Sequence, residues 1–382
     1  MKSHKDENIH FIGVGGVSMR GLAEYFASVG FKNALNLDFA YSNDTKMASM
    51  GGSDNIFIDK TLSGAEFMYG REAKADFNET IPPDIADKKT MGMSCLIQAR
   101  ETDKPVKFIP PEWANVYPTD EDFAYIPYVD GQHHTMRNHK IGTSGCNLWW
   151  IELGGDSGEP IEVTEETRDE LLKVAFGIWD HLKNQDDHGY ENWELEWVGF
   201  LPGKRESVRY VGDHILTQHD IDSEGKFDDV VAYGGWPMDD HNPKGMLANS
   251  PNDSPSIMWP APSPYGIPYR CLYSVNIKNL MFAGRNISAT HAAMSSTRVM
   301  ATCSVLGQAL GTAVAYAVKD NLHLENVDIA KLQQTLMQDD CYIPWHERKL
   351  PELTKIAECS SDIVRNGIDR GEENLWIGHA GE

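Results

Sequence analysis

Three stretches of the chain hold residues whose types and spacing can do chemistry. In the first, the apolar run Leu280 to Ala283 is broken by Gly284 and followed by a polar loop from Arg285 to Ser295. A small-residue pattern then predicts a helix from about Ser296 to Lys319. A helix start leaves backbone N–H groups unpaired and concentrates partial positive charge, so it favours anionic or electron-rich ligand groups. Ser295, Ser296 and Thr297 stand where they can cap that start. The same pattern equally suits a buried Ala/Gly helix packed on a sheet.

The second stretch, GVGGVSMRG from Gly13 to Gly21, follows a short apolar run and opens a helical pattern. Gly13, Gly15 and Gly16 are spaced as a nucleotide-phosphate loop requires, with Asp38 where a ribose-binding acid falls. Ser18 replaces the last glycine of the G-x-G-x-x-G pattern. The third stretch concentrates Lys204, Arg205 and Arg209, which can clamp a carboxylate or pyrophosphate or serve as surface ion pairs. Asp213-His214, His219-Asp220 and Asp239-Asp240-His241 offer metal-ligand types, but none has the i,i+4 His spacing of a zinc helix, so no metal site is expected. Trp149, Trp150, Trp193, Trp197 and Trp236 suit either a sugar platform or core packing. No G-x-S-x-G elbow or Walker loop occurs.

The elements that must position these residues follow from the apolar pattern. Ile9 to Val14 and Ala34 to Leu37 read as strands around a helix from Met19 to Val29, and residues 41–54 as a polar linker before a strand at Ile56 to Ile58. Thr90 to Arg100 and Asn147 to Leu153 read as strands with long loops between them. Glu165 to Asn184 is the clearest amphipathic helix, with Thr164 as its cap and Leu171, Leu172, Ala175, Ile178, Trp179 and Leu182 on one side. Residues 236–268 are proline-rich and predict an irregular excursion. A last helix is expected over about Asp328 to Gln338.

Composition narrows the classes of function. The chain has 382 residues and a net charge of -23, with 34 Lys and Arg against 57 Asp and Glu, which argues against a phosphate-backbone partner or an anionic membrane. No apolar run reaches the roughly 18 residues of a spanning helix, and no secretory signal is visible. Six cysteines without a C-x-x-C pair suggest a reduced, cytoplasmic protein.

From about Ile56 to Asp340 the chain resembles the bacterial FAD-dependent oxidoreductases of the glutathione-reductase-like flavoprotein class. The resembling segments are GAEFMYGREAKADFNET, TMGMSCLIQARETDKPVKFIPPEWA, GCNLWWIELGG, GFLPGKRESVRYVGDHILTQ, PSPYGIPYRCLYS and NLMFAGRNISATHAAMSSTRVMATCSVLGQALGTA. The resemblance implies a mixed α/β fold in which an incomplete Rossmann-like FAD/NAD(P)-binding domain carries an inserted substrate domain. It implies FAD as cofactor, hydride transfer through the flavin, and a small-molecule substrate, with a carbohydrate-derived one in view. Gly284 and Arg285 would then pass beside the ribityl chain, and Ser296, Thr297, Arg298 and Val299 would meet the isoalloxazine. His291 would be the substrate-facing proton donor or acceptor, and Arg205 and Arg209 would bind substrate.

The resemblance is incomplete at both ends. The family's long N-terminal FAD-binding region is mostly absent, and DKTLSGAEF from Asp59 shortens its acid–x–T–G–D–G loop. IHFIGVGGVSMRGLAEYFASVGF instead resembles the start of the Mur ligases, and IVRNGIDRGEENLWIG resembles the first strands of a discoidin-like β-sandwich. The expected organisation is a partial Rossmann-like head and linker over 1–54, FAD-binding segments at 55–89 and 270–340, a substrate domain at 90–269 and a tail at 341–382. The alternatives are a cofactor-free flavoprotein remnant and a UDP-sugar-binding ligase fragment.

Overall fold

A computed structural model describes residues 10–12, 64–119, 122, 128–129, 132–133, 151–157, 163–185, 188–248 and 256–349. Its strands are short. In chain order they begin with β1 (His10–Ile12) and β2 (Phe67–Tyr69), followed by helix α1 (Lys74–Phe77). Next come β3 (Met93–Ser94), β4 (Ile97–Glu101), β5 (Tyr128–Val129), β6 (Gln132–His133) and β7 (Glu152–Leu153), then α2 (Thr164–Asn184). β8 (Trp193–Val198), β9 (Gly203–Lys204) and β10 (Val208–Tyr210) precede α3 (Gln218–Asp222). Then follow β11 (Val230–Gly234), β12 (Met238–His241), β13 (Ser256–Trp259), β14 (Tyr265–Pro268) and β15 (Leu280–Phe282). The described chain closes with α4 (His291–Thr297), α5 (Met300–Asp320) and α6 (Ile329–Gln338). This mixture of helix and strand is consistent with the mixed α/β class that the resemblance implies. The expected roles of Gly13, Gly15, Gly16, Asp38, 41–58, Trp149 and Trp150, and the sandwich-like tail, lie outside the described residues.

One apolar cluster is built on α5. Leu306, Ala309, Leu310, Ala313 and Val314 are buried there, and α6 adds Leu332 and Leu336. Small side chains on α5 keep it thin, so it lies close against β11. An 18-residue window of α5 has a mean hydropathy of 1.3, so the helix is long and apolar enough to cross a membrane. That corrects the expectation that no such run exists. Half of the window is buried in the protein, as a core helix would be.

A second apolar cluster gathers around α2. Leu171, Ala175, Ile178, Trp179 and Leu182 form its helical side, as their spacing predicts, with Met93, Ile97 and Ile151 opposite. Here β3 pairs antiparallel with both β7 and β9, and β4 pairs with β8. The excursion at 236–268 proves partly regular: β12 pairs with β13 and β11 with β14, both antiparallel. Met238–His241 shows no apolar alternation because Met238, Asp239 and His241 are all buried, two of them ionisable. β1 pairs in parallel with β15, His10 opposite Leu280 and Ile12 opposite Phe282.

The largest departure lies after β15. The expected loop to Ser295 and helix from Ser296 are instead two helices. α4 starts at His291, where the Thr290 side chain accepts the Ala293 N–H. Ser295, Ser296 and Thr297 are thus buried in its last turn rather than capping α5. The helix breaks at Arg298 and Val299, whose ψ values are -11° and 148°. β-branched Thr297 and Val299 weaken helix at this point, and Arg298 and Ser296 are tied sideways to the backbone of Asp239 and Trp236.

Candidate functional site

Two buried charge networks flank the α4–α5 junction. In the first, His291 Nδ1 lies 3.0 Å from Glu206 Oε1 and Nε2 lies 2.9 Å from Asp240 Oδ1. A ring with a carboxylate at each nitrogen donates from both, so it is an imidazolium. Burial alone lowers its pKa, but Glu206 and Asp240 outweigh burial and push it up to about 10. Glu206 in turn is held below the usual carboxylate range: burial would raise it, and His291 and Arg209 prevail. Arg209, 1% exposed, donates to Glu206, to Glu72 at 2.6 Å, and to the carbonyls of Gly70 and Ala289 at 2.7 and 3.0 Å. Glu72 also accepts the His291 N–H at 2.9 Å. Arg209 is therefore committed to protein partners and holds the carboxylates that hold His291.

The second network centres on Asp239, the neighbour of Asp240 on β12. Asp239 accepts Arg298 Nη2 at 3.2 Å and Ser256 Oγ at 2.7 Å, and lies 3.3 Å from His241 Nε2. His241 Nδ1 reaches Glu152 at 2.9 Å, and Arg205 reaches the same carboxylate oxygen at 3.1 Å while donating to Ser94. Gly245 makes that approach possible. Its φ is +55°, and a Cβ would come within 2.1 Å of the Glu152 carbonyl, so only glycine lets the chain after β12 lie on β7. Burial raises the carboxyl groups of Glu152 and Asp239, but Arg205 and His241 for the one, and His241 and Arg298 for the other, lower both below their ordinary values. Burial also lowers His241, which Glu152 nonetheless raises above the ordinary histidine value.

At the junction itself α5, 21 residues long, starts at Met300, and Val299 before it gives no side-chain cap. Beside that start, Thr297 Oγ1 and Arg298 Nε are buried and meet no hydrogen-bond partner among the described residues. Both amide atoms of Asn286 are in the same state. Native proteins leave few such groups unsatisfied, and this donor-rich set suits a flat heterocycle with acceptor atoms. Gly284, at φ +121°, keeps the backbone open after β15; a Cβ there would meet Asn286 Oδ1 at 3.1 Å. Of the residues expected to meet a flavin, Thr297 and Arg298 offer the donor chemistry a flavin needs, whereas Ser296 is engaged by protein partners and Val299 is apolar. Arg285 donates to the Lys204 carbonyl, and Ser296 Oγ lies 2.5 Å from both the Trp236 carbonyl and Tyr265 Oη. Cys303, in the first turn of α5, has a thiol pushed up to about 11 by burial, which removes it as a thiolate nucleophile near neutral pH.

The structure brings together Gly284, Arg285, His291, Ser296, Thr297, Arg298, Val299 and Arg205 around two helices and β12. It divides Arg205 from Arg209, placing them in different networks. Glu72, Glu152 and Glu206 were not anticipated as site residues. An acid inside the apolar stretch WWIEL is the signal that marks Glu152, because an acid buried among apolar neighbours needs a cationic partner, and Glu206 is marked by its place inside the basic cluster of Lys204, Arg205 and Arg209. Asp239, Asp240 and His241, weighed as metal ligands, pair with Arg298 and His291 and with one another. The other two acid–histidine pairs serve structure. Asp220 accepts His214 and the Thr217 N–H in a capping box on α3, and Asp213 accepts Tyr273 Oη. His219 reaches the Asn78 carbonyl.

A UDP-N-acetylmuramate–L-alanine ligase from Geobacter sulfurreducens is 35% identical to the chain over 78 residues. That stretch is 20% of this chain, which spans 14% of the ligase's length. No solved structure matches. The sequence pattern of the FAD dependent oxidoreductase family matches residues 60–336. Both charge networks and the α4–α5 junction lie inside that match, and the chain belongs to the FAD dependent oxidoreductase family.

Proposed function

We propose that the chain moves a hydride between a small organic substrate and FAD, with the flavin ring at the α4–α5 junction. The uncapped start of α5 beside the unpaired Thr297 Oγ1 and Arg298 Nε carries this reading. Bound there, the flavin supplies hydride acceptance and return. The protein supplies the setting. The positive end of α5 and the Arg298 guanidinium favour negative charge on the ring, and Asp239 orients Arg298. His291 holds its protons at Nδ1 and Nε2 and acts as a fixed cation at the start of α4. It does not shuttle protons near neutral pH, because its two carboxylates retain them. Arg205, held by Ser94 and Glu152, is assigned to substrate.

The parallel pairing of β1 with β15 supports a dinucleotide site completed by Gly13, Gly15, Gly16 and Asp38, since phosphates bind at the carboxyl ends of parallel strands. The expected division is a head at 1–54, a cofactor domain of segments 55–89 and 270–340 and a substrate domain over 90–269; the two apolar clusters support two packing units, but Val208, Tyr210, Val230, Val231, Ala232, Tyr265 and Ile267 pack with the 270–340 segment rather than around α2.

The visible spectrum of the purified chain, recorded after adding FAD and desalting, tests the proposal. A retained flavin spectrum is expected. Gly284→Asp and Arg298→Ala are each expected to retain at least tenfold less flavin. A chain that stays colourless is a cofactor-free remnant, and the reading fails.

A further inference from the structure

A cavity of about 520 Å³ lies between α2, β8 and the segment 106–108, elements that take no part in the α4–α5 junction. Its volume falls in the range of small-molecule sites. Phe108, Phe176, Trp193 and Leu195 are in its wall, and Phe108 stacks on Phe176 with ring centroids 6.5 Å apart. All four are half-buried, so each keeps apolar surface that an occupant can cover.

Four charged side chains share that wall: Lys107, Lys183, Glu194 and Glu196. Three of them have partners. Lys183 Nζ donates to the carbonyls of Tyr190, Glu191 and Trp193 at 2.7, 3.0 and 2.7 Å. Glu194 and Glu196 lie 2.8 and 3.9 Å from Arg100. Lys107, the fourth, is exposed and meets no carboxylate among the described residues. The backbone on either side of it is held. The Val106 N–H donates to the Glu191 carbonyl at 2.9 Å, and the Phe108 carbonyl accepts Asn184 Nδ2 at 3.3 Å. The Lys107 ammonium is thereby tethered at the solvent side of an aromatic wall.

These features separate the classes of occupant. A cationic ring would meet Lys107 with no unmatched carboxylate to offset the repulsion. A neutral ring would use the wall and leave the charge unused. An aromatic acid uses both, because its ring covers apolar surface while its carboxylate stays beside water, where pairing with an ammonium strips neither charge. We infer that this cavity takes an aromatic carboxylate, its ring against Phe108, Phe176 and Trp193 and its carboxylate paired with Lys107. The inference is independent of the flavin reading.

A matched pair of probes tests it on the full chain. 2-Naphthoate and 2-naphthamide have nearly the same shape, and only the first is charged. Calorimetry at low salt is expected to show naphthoate binding about fivefold more tightly, the size of one exposed ion pair. That preference is expected to shrink in about 0.5 M NaCl, which screens such a pair. Lys107→Met is expected to bring the two to equal affinity while naphthamide binds as it does to wild type, and Lys107→Glu to reverse their order. Because Lys107 is exposed, both variants keep the fold. Equal affinity of the two compounds for the wild-type chain, no binding of either, or a preference for naphthoate that survives Lys107→Met would overturn the inference.

Discussion

His291 is where the chemistry of single residues is most exposed to test. Its folded pKa lies above the unfolded value of about 6.5, so the stability it contributes is full below that value. It is lost as pH rises toward about 10, where the folded ring deprotonates. His291→Gln removes the cation and leaves Glu206 with Arg209 and the Met91 N–H. Breaking a buried pair of this kind costs on the order of 3 kcal/mol. Urea unfolding at pH 7 is expected to show that loss, and the decline of wild-type stability between pH 7 and 10 is expected to flatten in the variant. Asp239 gives the opposite sign. Its folded pKa is lowered, so the stability it contributes is present above its unfolded value and lost as pH falls toward the folded one. Acid unfolding of Asp239→Asn is expected to depend less on pH below about 4; an unchanged acid limb would mean that the Arg298 and His241 contacts contribute little.

Elements decide where those residues sit, and α4 shows how. Thr290 caps α4 through the Ala293 N–H, and its hydroxyl also donates to Glu79 at 2.7 Å. Thr290→Ala is expected to lower stability by about 1–2 kcal/mol, seen as a lower urea midpoint with an unchanged slope. Ala309 is buried on the face of α5 that carries the core, so Ala309→Leu overpacks it, at about 1–3 kcal/mol. Calorimetric melting of the variant checks this, and a melting temperature equal to wild type would mean that α5 has room to shift. The same elements show what sequence makes legible. α2 and α6 follow from local periodicity alone, and Asp328 caps α6 as an N-cap residue should. The start of α4 was missed because Ser295, Ser296 and Thr297 are cap formers that here sit inside a helix. Ser295 Oγ returns to the Ala292 carbonyl at 2.6 Å, and Ser296 is held by a residue 60 positions away. The partners of Arg205 and Arg209 were hidden for the same reason. Glu152 and Glu72 are distant in sequence, and no local pattern encodes which carboxylate a cation meets.

For the molecule as a whole, the question is whether the first residues work with the rest. The chain carries a net charge of -23, yet the buried surroundings of the α4–α5 junction gather Arg205, Arg209, Arg298, His241 and His291. Each of these five cations is paired with one or two of the carboxylates of Glu72, Glu152, Glu206, Asp239 and Asp240, so the region is a neutralised charge network inside an acidic protein. β1 reaches this region by parallel pairing, with Phe11 opposite Met281 in the strand that leads to Gly284. If residues 13–38 complete a phosphate site, that pairing delivers them. Proline at position 11 removes a backbone N–H and fixes φ, which a strand flanked by a partner tolerates poorly. Valine keeps the backbone and favours the strand. Phe11→Pro is therefore expected to retain several-fold less flavin after desalting, whereas Phe11→Val retains as much as wild type. Full flavin retention by Phe11→Pro, with a lowered melting temperature, would mean that β1 serves the fold alone and that the cofactor is held from Gly284 onward. Loss in both variants would instead point to the Phe11 side chain, since valine preserves the ladder.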